Sequence, residues 1–285
     1  MESGSRRVAR LLIALVVLAS GIVGRSSSVL AAPPRWIPKP EDRWVYEIGR
    51  PAPRLELCVK PWSGGRCVKP TVWVLDLYGE DGKTLNIRNV AKIHRAGGRA
   101  VCYLSAGTAE QWRPDAAALP AAMVGRSLDG WPGERWIDVR ALDALHPIMT
   151  ARADRCAEAG FDAIDWDNVD GYTQDTGFAL RADDQLTYNR MLASITRERG
   201  MSVGLKNDLL QIPALVGLFD FTVNEQCAQF RECDLLQPFS NVGKAVVQIE
   251  YAARTSSFCA VANKRRWSAM LANRDLDGKI WQPCR

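Results

Sequence analysis

The chain has 285 residues, 47% of them hydrophobic and 24% charged, and a formal net charge of +5. Arg6, Arg7, Arg10 and Arg25 against Glu2 place +3 of that charge in residues 1–31, so only +2 remains for everything after them. No basic stripe with interleaved aromatics occurs, which argues against a nucleic-acid partner, and the length suits one large α/β barrel as well as two small domains.

At the N-terminus, Arg6, Arg7 and Arg10 precede an apolar run at 11–19, and the small residues of Val29-Leu30-Ala31-Ala32 offer a cleavage site. This is the pattern of a secretory signal over residues 1–32. The run is shorter than the roughly 20 residues of a membrane span, which favours cleavage over anchoring. No second hydrophobic span follows, so no stable membrane span is expected after cleavage. The expected destination is outside the cell, in the periplasm or in the cell envelope. Residues 33–70, rich in Pro, Gly and Arg, read as a linker and flap before a domain at 71–285. The eight cysteines fit an oxidising compartment. Cys58 and Cys67 flank the turn Ser63-Gly64-Gly65, Cys227 and Cys233 flank a short polar segment, and Cys259 and Cys284 could tie down the C-terminus. Connectivity does not follow from sequence, and these pairs are hypotheses. Cys102, in an apolar strand, and Cys156, late in a helix, read as buried free thiols.

After Pro70, short apolar strands alternate with helical segments, the signature of a parallel sheet. The expected strands are 72–76, 100–105, 135–139, 162–167, 202–206, 220–225, 245–250 and 279–282; the expected helices include 84–96, 142–159 and 184–199. Eight strands point to a closed (β/α)8 TIM barrel. An open doubly wound sheet is the alternative, but no Gly-rich phosphate loop follows the first strand.

In such a barrel chemistry sits at the C-terminal strand ends. There the chain carries Asp76, then Tyr103 and Ser105, Asp138, Asp165 and Asp167, Lys206, Glu225, and Glu250 with Tyr251. Phe161, Ala163, Asp165 and Asp167 share one strand face at a two-residue period, as do Val72, Val74 and Asp76, and Phe221, Val223 and Glu225. Carboxylates at the end of a core strand carry a desolvation cost that partners or function must offset. One such acid could simply cap the following turn; five on one rim imply a polar ligand. Two acids on opposite walls of a cleft are what glycoside hydrolysis requires. Trp112 and Trp131, in the long segment 107–134, are candidate sugar platforms on a lid, and Tyr172 lies near the rim. Trp136 and Trp166 read equally well as core. Other chemistries fit worse. Only His94 and His146 exist, one in a predicted helix and one before Pro147, so neither suits a catalytic triad or a zinc site. Asp165-x-Asp167 fails as a calcium loop, with Val169 fifth and Asp170 where glycine is needed. Asp275-x-Asp277-Gly278 reads as a turn. No metal or cofactor is expected.

The runs Val101-Cys-Tyr-Leu-Ser-Ala-Gly107, Trp112-Arg-Pro-Asp115, Gly130-Trp-Pro-Gly-Glu134, Trp136-Ile-Asp138, Asp167-Asn-Val-Asp-Gly-Tyr172, Gly204-Leu-Lys-Asn207, Asn224-Glu-Gln-Cys227 and Glu250-Tyr251 occur in order over residues 71–284. Together they resemble glycoside hydrolase family 114, the endo-α-1,4-polygalactosaminidases, which have a (β/α)8 fold. The resemblance implies endo-hydrolysis of an α-1,4-linked galactosamine-rich exopolysaccharide, with Asp167 and Glu225 as the catalytic pair. Likeness to related retaining barrels makes Asp167 the nucleophile and Glu225 the general acid/base, although the carboxylate separation decides the stereochemical outcome. It implies substrate contacts from Asp76, Tyr103, Ser105, Trp112, Trp131, Asp138, Asp165, Asn168, Tyr172, Lys206, Glu250 and Tyr251. Where the family commonly carries Glu-Pro-Asp-Asn, this chain has Asp165-Trp166-Asp167-Asn168, which bears on substrate preference. The surplus acids would pair with the ammonium of deacetylated galactosamine. A different α-glycosidase specificity, and a catalytically silent sugar-binding barrel, are the rival readings.

Overall fold

The computed structural model describes Met1 and residues 35–49 and 52–285. Residues 34–285 form one compact unit. The expected signal segment lies outside the described residues. Among the described residues, no helix is long and apolar enough to cross a membrane.

Among the described residues, twelve strands form two sheets. In chain order they are β1 (Trp44–Tyr46), β2 (Val72–Asp76), β3 (Arg99–Ser105), β4 (Thr108–Glu110), β5 (Val124–Ser127), β6 (Glu134–Ile137), β7 (Ala163–Asp167), β8 (Ser202–Lys206), β9 (Phe221–Glu225), β10 (Ala245–Glu250), β11 (Ser268–Ala272) and β12 (Trp281–Pro283). The main sheet runs β1-β2-β3-β7-β8-β9-β10-β11-β12. Its first eight members pair in parallel and β12 is antiparallel to β11. The Trp281 indole N–H donates to the Trp44 carbonyl at 3.0 Å, and the Trp44 N–H to Ser268 Oγ at 3.3 Å. The sheet is thus a nearly closed (β/α)8 barrel. The helices are α1 (Ile87–Arg95), α2 (Leu142–Glu158), α3 (Ala182–Glu198), α4 (Ile212–Leu215), α5 (Cys227–Phe230), α6 (Gln237–Asn241) and α7 (Thr255–Lys264). The strands are Val/Ile/Leu-rich and almost wholly buried, as expected where helices cover one face and the barrel core the other.

The count of eight parallel strands stands, but its membership differs from expectation. Residues 135–139 do not enter the barrel. β6 pairs instead with β4 and β5 in a three-stranded antiparallel sheet, so the expected lid over 107–134 is an ordered hairpin structure. The eighth strand is Ser268–Ala272, whose Ala, Met and Leu content reads as helix former rather than strand. The segment 279–282 becomes the antiparallel β12. The missing member is β1, from within 33–70, so that stretch is not only linker and flap. Its three residues are too short for a period-two signal. The Cys58–Cys67, Cys227–Cys233 and Cys259–Cys284 pairs are disulfides. Cys102 and Cys156 are not free thiols: they are bonded to each other and pin α2 against β3. Trp136 and Trp166 are both buried.

Candidate active site

The ends of β7, β8 and β9 present Asp167, Lys206 and Glu225 to one cleft. The Lys206 ammonium lies 2.9 Å from Asp167 Oδ1 and 3.2 Å from Glu225 Oε2, and its side chain is only 3% exposed. Tyr103 Oη donates to Asp167 Oδ2 at 2.6 Å, and the Asn168 N–H to Asp167 Oδ1 at 2.9 Å. Tyr251 Oη donates to Glu225 Oε1. The Asn207 amide nitrogen reaches Glu225 Oε2 at 3.4 Å, while its oxygen accepts from the Glu225 N–H at 3.0 Å. Each of the three strands ends by turning into the left-handed region. Asn168, Asn207 and Gln226 have φ of 59°, 52° and 64°. Asn tolerates this region better than most residues, Gln less well, and such strain concentrates at functional sites. Gly107, where β3 leaves the barrel, admits the Asn168 carbonyl: a Cβ there would lie 1.6 Å from that oxygen.

Burial pushes the Asp167 carboxyl up, but the Lys206 ammonium, Tyr103 and the Asn168 N–H outweigh it, and the net is below the ordinary carboxylate range. Burial alone would depress the Lys206 ammonium; Asp167, Glu225 and Asp165 reverse this and hold it well above its usual value. Asp167 is therefore an anion and Lys206 a cation at neutral pH. One layer deeper, Asp165 is fully buried and accepts from Tyr46 Oη at 3.0 Å. Burial raises its carboxyl to about 7 despite Lys206.

The cleft has a volume of about 360 Å³. On one wall Arg113 holds Asp76 with two contacts of 2.7 Å and Glu110 with contacts of 2.7 and 2.8 Å. Glu134, at the start of β6, accepts from Thr108 Oγ1, and burial raises it to about 7. Trp112 and Trp131, 47% and 45% exposed, stand at the mouth on the lid. Arg274, Asp275 and Leu276, beyond β11, also line the cleft, as does Ile48.

Asp76, Tyr103, Trp112, Trp131, Asp167, Asn168, Lys206, Glu225 and Tyr251 all line this cleft. Five expected contacts do not. Asp138 follows β6 outside the barrel and binds Arg140 at 2.7 Å. Glu250 is fully buried, and its Oε1 accepts from the Ala228 N–H and the Gln248 amide, each at 2.8 Å, so it holds the turn after β9. Ser105 is buried against Thr108 and Asn168. Asp165 is bound to Tyr46 below the floor, and Tyr172 lines a neighbouring depression. Glu110, Arg113, Asp170 and Gln226, and the 274–276 loop, were not expected. Arg113 and Gln226 sit inside motifs whose neighbours drew attention, whereas Asp275 read only as part of a turn.

His94 and His146 are absent from the cleft; His94 pairs with Asp162 at the start of β7. Among the described residues the one group spaced to hold a metal is Cys227, Cys233 and Glu250. A disulfide occupies both sulfurs, so no thiolate is available to an ion.

A parallel barrel with an acid-lined cleft and solvent-facing tryptophans at its C-terminal strand ends is the architecture of barrel glycoside hydrolases. The sequence model of glycoside-hydrolase family GH114 matches residues 25–285; the chain belongs to that family and is a glycoside hydrolase. The crystal structure of Aspergillus fumigatus Ega3 in complex with galactosamine superposes with a TM-score of 0.78 at 30% identity, covering 89% of this chain and 99% of that one. The glycoside hydrolase domain of PelA from Pseudomonas aeruginosa shares the fold, with a TM-score of 0.56 at 16% identity over 73% of this chain and 89% of that domain. No curated protein sequence matches the chain.

Proposed function

We propose that the protein is an endo-acting, retaining glycosidase that cleaves α-1,4-linked galactosamine-rich polysaccharide outside the cytoplasm, with Asp167 as nucleophile and Glu225 as general acid/base. The observation that carries the pairing is the shared Lys206 ammonium. Contacts of 2.9 and 3.2 Å to a single nitrogen hold the two carboxylate oxygens within about 6 Å. Retaining enzymes place their carboxyls about 5–5.5 Å apart, whereas inverting enzymes need about 6.5 Å or more to admit a water. In the first step Glu225 protonates the glycosidic oxygen as Asp167 attacks the anomeric carbon. In the second, Glu225 takes a proton from the water that releases the sugar from Asp167. Lys206 and Tyr103 keep the nucleophile ionised.

The substrate class rests on charge and on similarity to Ega3, crystallised with galactosamine. Besides the catalytic pair, Asp129, Glu134, Asp170 and Asp275 line the cleft, and an ammonium-bearing sugar gains charge-assisted bonds from such acids. Trp112 and Trp131 offer flat apolar faces to sugar rings. Four disulfides among the described residues fit an oxidising, extracytoplasmic location.

The test is incubation of wild type, Asp167→Asn and Glu225→Gln with partially deacetylated α-1,4-galactosaminogalactan, with oligosaccharide release followed by mass spectrometry. Release by wild type and its loss in both folded variants is expected. Release by either variant at the wild-type rate removes that carboxylate from its role, and equal cleavage of fully acetylated polymer removes the charge argument.

A further inference from the structure

A second depression, of about 410 Å³, adjoins the catalytic cleft and shares Asp170, Asn207, Glu225 and Gln226 with it. Asp167 borders only the first, while Glu225 borders both. Resting on the functional reading above, we infer that this depression is the leaving-group subsite, holding a deacetylated amino-sugar residue on the reducing-end side of the cut. The sugar that forms the covalent intermediate must lie between nucleophile and acid/base, hence in the first cleft. The bond that breaks is the one whose oxygen receives the Glu225 proton. The departing chain therefore leaves past Glu225 on the side away from Asp167, and that side opens into the second depression.

Its chemistry differs from that of the first. Lys206, Arg113 and Arg274 line the first cleft. The second has Asp170 and Glu232 besides Glu225, with Asp208 raised to about 8 by burial and so mostly uncharged at neutral pH, and neither lysine nor arginine among its lining residues. That selects a cation. Asn224, 1% exposed, lines it and carries an amide oxygen with no hydrogen-bond partner, while its amide nitrogen is bound to Asn207 at 3.2 Å. A sugar hydroxyl or ammonium could complete this acceptor after a small shift. Phe230 and Leu210, 61% and 70% exposed, give the same depression an apolar rim. An amino sugar matches this set: an ammonium for the acids, hydroxyls for the amide and an apolar ring face for Phe230.

The experiment uses Glu232→Gln and Phe230→Ala, neither of which touches the catalytic pair, with an α-1,4-galactosamine hexamer labelled at its reducing end. The readouts are KM and kcat. For each variant KM is expected to rise about tenfold, with kcat within about twofold. Wild-type KM in both variants overturns the inference while leaving the functional reading intact. A fall in kcat at unchanged KM also overturns it. If wild type itself cleaves no hexamer, the functional reading fails and takes the inference with it.

Discussion

Lys206 touches both carboxylates, so its removal should change the shape of the pH profile as well as the rate. Without the ammonium, only Tyr103 and the Asn168 N–H oppose the effect of burial on Asp167, and its carboxyl titrates higher. A nucleophile must be ionised, so the acid limb of kcat/KM in Lys206→Met is expected to move to higher pH, with a loss of about 10²–10³-fold at neutral pH. Tyr103→Phe should shift the same limb less, because Lys206 remains. A uniform loss at all pH values would show that Lys206 acts in some other way. The strand-end residues were largely legible in sequence: a core strand that ends in Asp-x-Asp, or in Lys-Asn or Glu-Gln after apolar alternation, announces a rim. The pairings were not. Nothing in the spacing of Asp76 shows that Arg113, 37 residues later, holds both its oxygens, or that Glu250 turns to the Ala228 N–H and the Gln248 amide instead of the cleft.

At the scale of the element, Cys102 and Cys156 show how a strand shares its two faces. Tyr103 points into the barrel and reaches Asp167, while Cys102 beside it points out to α2. The bond spans 54 residues. Closing a loop of that length stabilises the fold by about 4 kcal/mol through the unfolded chain's entropy. The double variant Cys102→Ala/Cys156→Ala should therefore melt at markedly lower temperature and lose about that much stability in urea, while the folded enzyme keeps its KM. An unchanged melting temperature would rule out that contribution. Both cysteines sit in apolar settings, which reads equally well as two inert thiols, so only the packing of α2 on β3 decides. The lid posed the opposite difficulty. Residues 135–139 carry strand propensity, and most of them lie in β6. Propensity says nothing about which sheet a strand joins, and β6 chose the short antiparallel one.

Across the whole molecule, several acids bind protons more tightly folded than unfolded. Burial raises Asp165 and Glu134 to about 7, Asp170 to about 6 and Asp208 to about 8, from an ordinary value near 4. Their stabilisation is full below pH 4 and is lost as pH climbs through those raised values. Asp167 runs the other way: its contribution is present above its unfolded value and is lost as pH falls through its lowered one. The melting temperature is thus expected to fall from about pH 5 to pH 8, and Asp165→Asn should flatten that fall; a melting temperature that rises over this window would contradict the assignment. The seam of the barrel carries a different consequence. Among the described residues no backbone ladder joins β1 to β11. The ring is completed by β12 and the Trp281–Trp44 contact, and Cys284 is bonded back to α7. Without β12 the barrel would keep two unmatched sheet edges and no ring. The edges stay open to neighbouring chains until that strand docks, so deleting Trp281–Pro283 should yield aggregate rather than a slightly weaker enzyme.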